Sequence, residues 1–172
     1  MAEPDLRTDC LRLRLIDSRD ADTYRALYTS PEVMRHVMPP LSVEAADAGF
    51  ASVCRHNQRA APGHRHWAIE DVSQGTALGL VALQRDGARA ELGVLLLPHA
   101  WRRRVASEAF VPVLAYGFRT MGLAWIDAER ADDPHARVID RLLVPFGFER
   151  IPARSPGACR WALPVGRWSA PG

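Results

Sequence analysis

One mixed, mostly antiparallel sheet flanked by helices on both faces is the α/β fold predicted by this 172-residue sequence, and three patterns predict it. Early in the chain leucines alternate with arginines at the period of two that marks a half-buried strand. Three strand-like runs then follow in quick succession, separated by turn-rich pieces, as in an antiparallel meander. Finally, helical segments alternate with further strands, and one sheet covered on both faces is the simplest way to bury all of them.

Leu11, Leu13 and Leu15 alternate with Arg12 and Arg14, which defines the first strand. Asp17 or Ser18 can cap a helix whose inner face carries Ala21, Tyr24, Leu27 and Tyr28. Pro31 restarts a helical turn through Val37, and Pro39-Pro40 stops it. Ser42 caps a second helix with Val43, Ala46, Phe50, Val53 and Cys54 on its apolar stripe, and Gln58 to Gly63 reads as a loop. The meander strands are His66 to Glu70, Ala77 to Gln84, and Arg89 to Leu97. The last of these ends in Leu95-Leu96-Leu97, apolar on both faces, which makes it central in the sheet.

A long helix is expected from about Arg103 to Met121, with Gly122 as its C-cap and Pro112 inside it. Ala124 to Glu129 then reads as a buried strand and Pro134 to Val144 as a short helix. Strand material remains at Phe148 to Ile151 and Cys159 to Leu163, with a frayed tail over about residues 167–172. No repeat or break in composition divides residues 1–172, so the expectation is a single domain.

Bulk composition excludes several function classes. Apolar residues make up 48% and charged residues 24%, the balance of a soluble globule. No apolar run approaches the roughly 20 residues of a membrane span, and the start lacks a signal-peptide pattern, so a cytoplasmic location is expected. The sequence contains no lysine, so its whole positive count is arginine, and the formal charge of +2 is too small to argue for nucleic-acid binding. Cys10, Cys54 and Cys159 form no CxxC pair, and His64 and His66 would share a strand face without a third ligand, so no metal is expected. No GxSxG elbow, GxxxxGK[ST] loop or GxGxxG fingerprint is present. Trp67, Trp101, Trp125 and Trp161 suit a core or sheet better than a base-stacking platform.

The chemistry concentrates between Leu92 and Ala109, where a buried strand leads through Pro98-His99-Ala100 to Trp101-Arg102-Arg103-Arg104 at the opening of a helix. A helix start presents unpaired N–H groups and a partial positive charge, which suits a phosphate or pyrophosphate. Arginines there oppose the macrodipole unless an anion is bound. The alternative is that the guanidinium groups extend into solvent.

Several pieces, in order, resemble the GNAT superfamily of acyl-CoA-dependent N-acyltransferases, in the branch that includes ribosomal-protein N-terminal acetyltransferases. Leu6 to Arg14 resembles that branch's opening strand, LxTxRLxLR, and Ser30-Pro31-Glu32-Val33-Met34 its characteristic helix start. Arg89 to Val94 matches the strand before the cofactor loop, Trp101 to Ala109 the loop and helix, and Phe146-Gly147-Phe148 the segment after the last helix.

The resemblance implies a GNAT fold that binds acetyl-CoA as acyl donor and transfers the acetyl group to a primary amine, a peptide N-terminus or a small molecule. It implies that backbone groups of Leu95 and Leu96 face the pantetheine, and that the pyrophosphate lies over the amides of Arg102, Arg103, Arg104, Val105, Ala106 and Ser107. Glu91 matches a family carboxylate that could take a proton from the amine, or it is a structural partner of an arginine such as Arg89. His135 could give a proton to the departing thiolate, or it caps a loop. The acceptor pocket would form from Met34 to Pro40 and Arg150 to Ala158.

This chain departs from the family's Q/R-x-x-G-x-G/A loop. Trp101 stands first, Arg104 replaces the first glycine, and Ala106 is acceptable at the last place. The asparagine and serine usual after the fifth strand are missing, with Asp133-Pro134-His135-Ala136 roughly in their place, and no tyrosine lies there. Those departures support a rival reading, a GNAT fold that has lost catalysis and serves as an acyl-CoA sensor or interaction module. A third reading has the arginine patch bind another phosphorylated ligand or RNA. The oligomeric state stays open, a homodimer included.

Overall fold

In a computed structural model, which describes residues 5–60 and 63–170, eight strands form one sheet in the order β1-β2-β3-β4-β5-β6-β8-β7. The strands are β1 (Leu6–Arg7), β2 (Leu11–Leu15), β3 (Arg65–Asp71), β4 (Ala77–Asp86), β5 (Arg89–Leu96), β6 (Trp125–Ala131), β7 (Glu149–Ile151) and β8 (Ala158–Pro164). Among the described residues only the β5–β6 pair is parallel. The helices are α1 (Ala21–Tyr28), α2 (Pro31–Met34), α3 (Val43–Asn57), α4 (Val105–Arg119) and α5 (Ala136–Leu143). None of the helices among the described residues is long and apolar enough to cross a membrane.

Two cores sit on opposite faces of the sheet. On one, Phe110, Val113 and Leu114 of α4 and Leu143 of α5 pack against Leu13, Trp67, Leu83, Leu92 and Ile126 of the strands. On the other, Tyr24 and Leu27 of α1 and Val53 of α3 cover Ala68 and Leu80. The second layer explains a residue that alternation alone assigns to water. Arg14 is only 8% exposed, and its guanidinium donates to Asp20 at 2.9 and 3.0 Å and to Glu70 at 2.6 and 3.1 Å. It is buried on the helix-covered face, with its charge fully paired.

The caps follow the local chemistry. Asp17 accepts from the Arg19 N–H at the start of a 3-10 turn that leads into α1, and Ser30 and Ser42 accept the N–H groups of Val33 and Ala45. The apolar stripe of α3 is narrower than its sequence suggests, since Ala46 and Val53 are buried while Val43 is 48% exposed. Helix α4 runs through Pro112 but is shorter than expected at both ends. Its start moves from Arg103 to Val105 because Arg102 and Arg104 have left-handed backbones, with φ of 62° and 58°. Its end moves from Met121 to Arg119, and Gly122 (φ 64°) turns the chain toward β6. The tail is held further along than fraying implies. Trp168 packs its ring 5.2 Å from Phe118 and under the Arg119 guanidinium, while Pro171 and Gly172 lie outside the described residues.

Candidate active site

The two parallel strands part company early. β5 pairs with β4 along its whole length, yet it pairs with β6 only from Arg89 to Glu91. Beyond Asp127, β6 continues on β8 as far as Ala131, so a wedge opens between Leu92–Leu96 and Ala128–Ala131. Backbone direction in a strand alternates from residue to residue, and two bonds set the phase. The Ala88 carbonyl accepts from Ala124 on the β6 side, and the Leu97 N–H donates to Leu78 on the β4 side. Peptide groups of even-numbered residues, Val94 and Leu96 among them, therefore face the wedge. Those of Leu95 face β4, and its side chain joins the α1–α3 face. At the wide end of the wedge the Trp101 indole N–H donates to the Leu96 carbonyl at 2.9 Å.

Below that point the chain makes a left-handed turn into α4. Arg104 is the N-cap residue with φ 58° and ψ 16°, and it offers no side-chain cap. Its carbonyl accepts the Ser107 hydroxyl at 2.9 Å and the Glu108 N–H at 3.0 Å. The N–H groups of Val105, Ala106 and Ser107 thus open the helix without a capping side chain. The three arginines are not equivalent. Arg103 is bound to Asp71 at 3.0 Å, a carboxylate held below its usual range chiefly by hydrogen bonds from Ser73 and also by Arg103. Arg102 and Arg104 are exposed and make no ion pair among the described residues. A ligand phosphate at this helix start would meet two free guanidinium groups and the amides.

On the α1–α3 face the sheet carries a cavity of ≈ 330 Å³, lined among others by Tyr28, Met38, His66, Glu91, Leu95 and Arg130. Its floor follows from strand register. His66 stands opposite Ala82, and Ala82 opposite Gly93, so the row crosses the sheet as imidazole, methyl and hydrogen. Arg130 bridges the wedge to the end of that row. One of its nitrogens lies 3.9 Å from where a Gly93 Cβ would stand, and another lies 3.7 Å from Glu91. Burial pushes the Arg130 guanidinium below its usual pKa, and Glu91 acts in the opposite direction.

Glu91 faces the cavity and pairs with Arg154 at 3.2 Å as well as with Arg130. Arg89 is engaged elsewhere, by Asp86 and the fully buried Asp127. Tyr28, at the end of α1, brings a phenol to the cavity, whereas the late loops contain no tyrosine. Burial raises its pKa, and a hydrogen bond from Tyr24 and the charge of Arg130 act against that rise. It therefore carries its proton at neutral pH and can donate it.

His135 is not brought to this cavity. It stands at the N-cap of α5, stacked on His36 with ring centroids 4.2 Å apart and planes within 5°. Its backbone N–H donates to Asp133, whose other carboxylate oxygen lies 3.2 Å from His36 Nδ1. Burial and the nearby His36 both lower its pKa. His66, considered in sequence only as a metal ligand, does line the cavity. Burial, with smaller effects of His64 and His56, pushes its pKa down to about 4. Among the described residues no three histidine, cysteine or acidic side chains converge as a metal set. No motif signalled Tyr28, His66 or Arg130, because strand register and the wedge bring them together.

Comparison with known proteins agrees with this architecture. Residues 11–142 match the family model described as an acetyltransferase (GNAT) domain. A curated relative from Bacillus subtilis, named Uncharacterized N-acetyltransferase YoaA, is 34% identical over 155 residues, covering 86% of this chain and 84% of the relative. Among solved structures, an acetyltransferase from Agrobacterium tumefaciens superposes with a TM-score of 0.78 at 22% identity, over 95% of each chain. Spermidine N-acetyltransferase from Vibrio cholerae, in complex with CoA and spermine, does so with a TM-score of 0.76 at 20% identity, over 93% of this chain and 98% of that one. With a family model spanning most of the sequence and a fold that opens between its two parallel strands, this chain belongs to the GNAT acetyltransferase family.

Proposed function

We propose that this protein transfers the acetyl group of acetyl-CoA to a primary amine, on a small molecule or a peptide N-terminus. The observation that carries the reading is the wedge between β5 and β6, which exposes the peptide groups of Val94 and Leu96 and leads to the uncapped start of α4. The Val94 and Leu96 edge suits the pantetheine amides, as a strand edge suits any extended chain. The N–H groups of Val105 to Ser107, with Arg102 and Arg104, suit the pyrophosphate.

The cavity on the α1–α3 face of the sheet would hold the acceptor. The reaction forms a C–N bond and breaks the C–S bond, so the amine must lose one proton and the departing thiolate must gain one. Glu91 faces the cavity and can take the amine's proton directly or through a water. Tyr28, protonated and lining the same cavity, is the group available to protonate the sulfur. His135, stacked on His36 outside the cavity lining, has no part in this scheme.

One observation favours the rival reading of an acyl-CoA sensor. Both oxygens of the Glu91 carboxylate face arginines, Arg130 at 3.7 Å and Arg154 at 3.2 Å, so an amine must compete with guanidinium groups for it. Two measurements separate the readings. Ligand at ~100 times its dissociation constant adds about 2.7 kcal/mol of stability, which raises the melting temperature of a domain this size by roughly 5–11 °C. Both readings require that shift with coenzyme A. Thiol release from acetyl-CoA in the presence of primary amines belongs to the enzyme alone. A shift without thiol release supports the sensor, and a flat melting curve at millimolar coenzyme A removes both.

A further inference from the structure

The cavity beside Glu91 ends on a group that none of the described residues satisfies. His66 is 7% exposed, and its Nδ1 is enclosed without a hydrogen-bond partner. Nε2 is not enclosed, and it bonds to none of the described residues, so it is the imidazole's open atom in the cavity that the ring lines. With the proton on Nε2, the enclosed Nδ1 carries no unpaired N–H and the open edge of the ring is a donor. Its low pKa keeps the ring neutral at physiological pH.

The floor between this donor and the wedge has been kept clear. Ala82 and Gly93 are the side chains in the row that starts at His66, while Leu80 and Leu95 wall one side and Gln84 and Glu91 the other. Two strand spacings, roughly 9.5 Å, separate the His66 backbone from that of Gly93. A chain about the length of two extended residues, ~7 Å, together with one hydrogen bond of roughly 2.9 Å, spans that distance.

We propose, resting on the reading that this cavity takes the amine acceptor, that His66 selects the acceptor by donating from Nε2 to one of its oxygens. The preferred substrate is a primary amine with a carbonyl or hydroxyl oxygen at its far end, its nitrogen at the wedge and its oxygen on His66. A plain alkyl amine of the same length leaves the buried N–H unpaired in the complex, and sites built to hydrogen-bond a substrate reject the analogue that lacks the partner.

The test compares 6-aminohexanamide with hexylamine and 1,6-diaminohexane. Wild-type protein should acetylate the amide with a kcat/KM roughly tenfold or more above the oxygen-free amines, the difference lying in the acceptor KM. In His66→Phe that ratio should fall to within about twofold of one, and His66→Gln, which restores a donor, should recover part of it. Equal wild-type kcat/KM values, or a preference that survives in His66→Phe, overturn the proposal. Calorimetric binding of the same amines to wild-type protein saturated with coenzyme A makes the comparison without turnover. If no amine is acetylated, the transfer reading falls, yet tighter binding of the amide still supports His66 as the selecting residue. Equal binding, or no binding of any of the three, overturns it.

Discussion

Replacing Arg104 with glycine should stabilise the free protein while weakening its hold on coenzyme A. The backbone at this position has φ 58° and ψ 16°, a region that costs an L-residue roughly 1–2 kcal/mol and costs glycine nothing. Glycine gives back roughly 0.5–1 kcal/mol through the larger freedom of its unfolded chain. The balance is a gain of about 0–1.5 kcal/mol, or up to roughly 6 °C in melting temperature for a chain of this length. A helical Arg104, as the sequence pattern suggested, would reverse the sign, because glycine in a helix costs about 0.5–1 kcal/mol.

Binding should move the other way. The Arg104 guanidinium has no ion-pair partner among the described residues, and an exposed charge contact to a phosphate is worth about 0.2–1 kcal/mol. The dissociation constant should rise by roughly 1.4- to 5-fold, with a shallower dependence on salt. Thermal unfolding of the free proteins and calorimetric titration with coenzyme A at two ionic strengths measure both effects. A melting temperature several degrees lower would refute the left-handed assignment. Tighter binding would refute the guanidinium contact and would mean that the arginine's bulk holds the phosphate away.

Three further outcomes are expected. Glu91→Gln should lower kcat by about 10²-fold with little change in coenzyme A affinity, and its half-exposed pairs with Arg130 and Arg154 limit the stability loss to about 1 kcal/mol. Normal turnover in a destabilised Glu91→Gln protein would make that carboxylate purely structural. Arg14→Ala leaves the buried Asp20 without its ion pair and Glu70 with only Arg12 at 3.6 Å, and should cost about 3–5 kcal/mol in denaturant unfolding; a loss below 1 kcal/mol would contradict the buried cluster. His66 has a folded pKa of about 4, below the ordinary 6.5, so the unfolded chain binds a proton first as pH falls. Its contribution is complete above pH 6.5 and declines by roughly 3 kcal/mol as pH drops to 4. Stability curves of wild type and His66→Phe should diverge in that window, and parallel curves would show an imidazole reached by water.

The elements of the fold were legible because their signals are local. The Leu11–Leu15 alternation, the turns between β3, β4 and β5, the Ser30 and Ser42 caps and the apolar face of α4 all lie within a few residues of what they determine. The helix start that carries the arginines was legible for the same reason, since Trp101 to Ser107 is one continuous piece of chain. Which of its arginines are free was not, because Arg103 finds Asp71 on β3, 32 residues away. The left-handed turn at Arg102 and Arg104 runs against residue preference, so no propensity argument could have located it.

From the sequence alone came the fold class, the strand and helix order, the family resemblance and the segment suited to a pyrophosphate. Tertiary structure decided the rest. Where β5 and β6 separate, which parity of β5 faces the opening, and that His66, Ala82, Gly93 and Arg130 form one row are consequences of pairing register. His135 was drawn into a stack with His36, and Tyr28 was delivered to Glu91's cavity by the packing of α1 on the sheet. Periodicity tells a residue which face it occupies but not its neighbours across the sheet. Those neighbours, 16 positions away for His66 and Ala82, decide which side chains share a cavity.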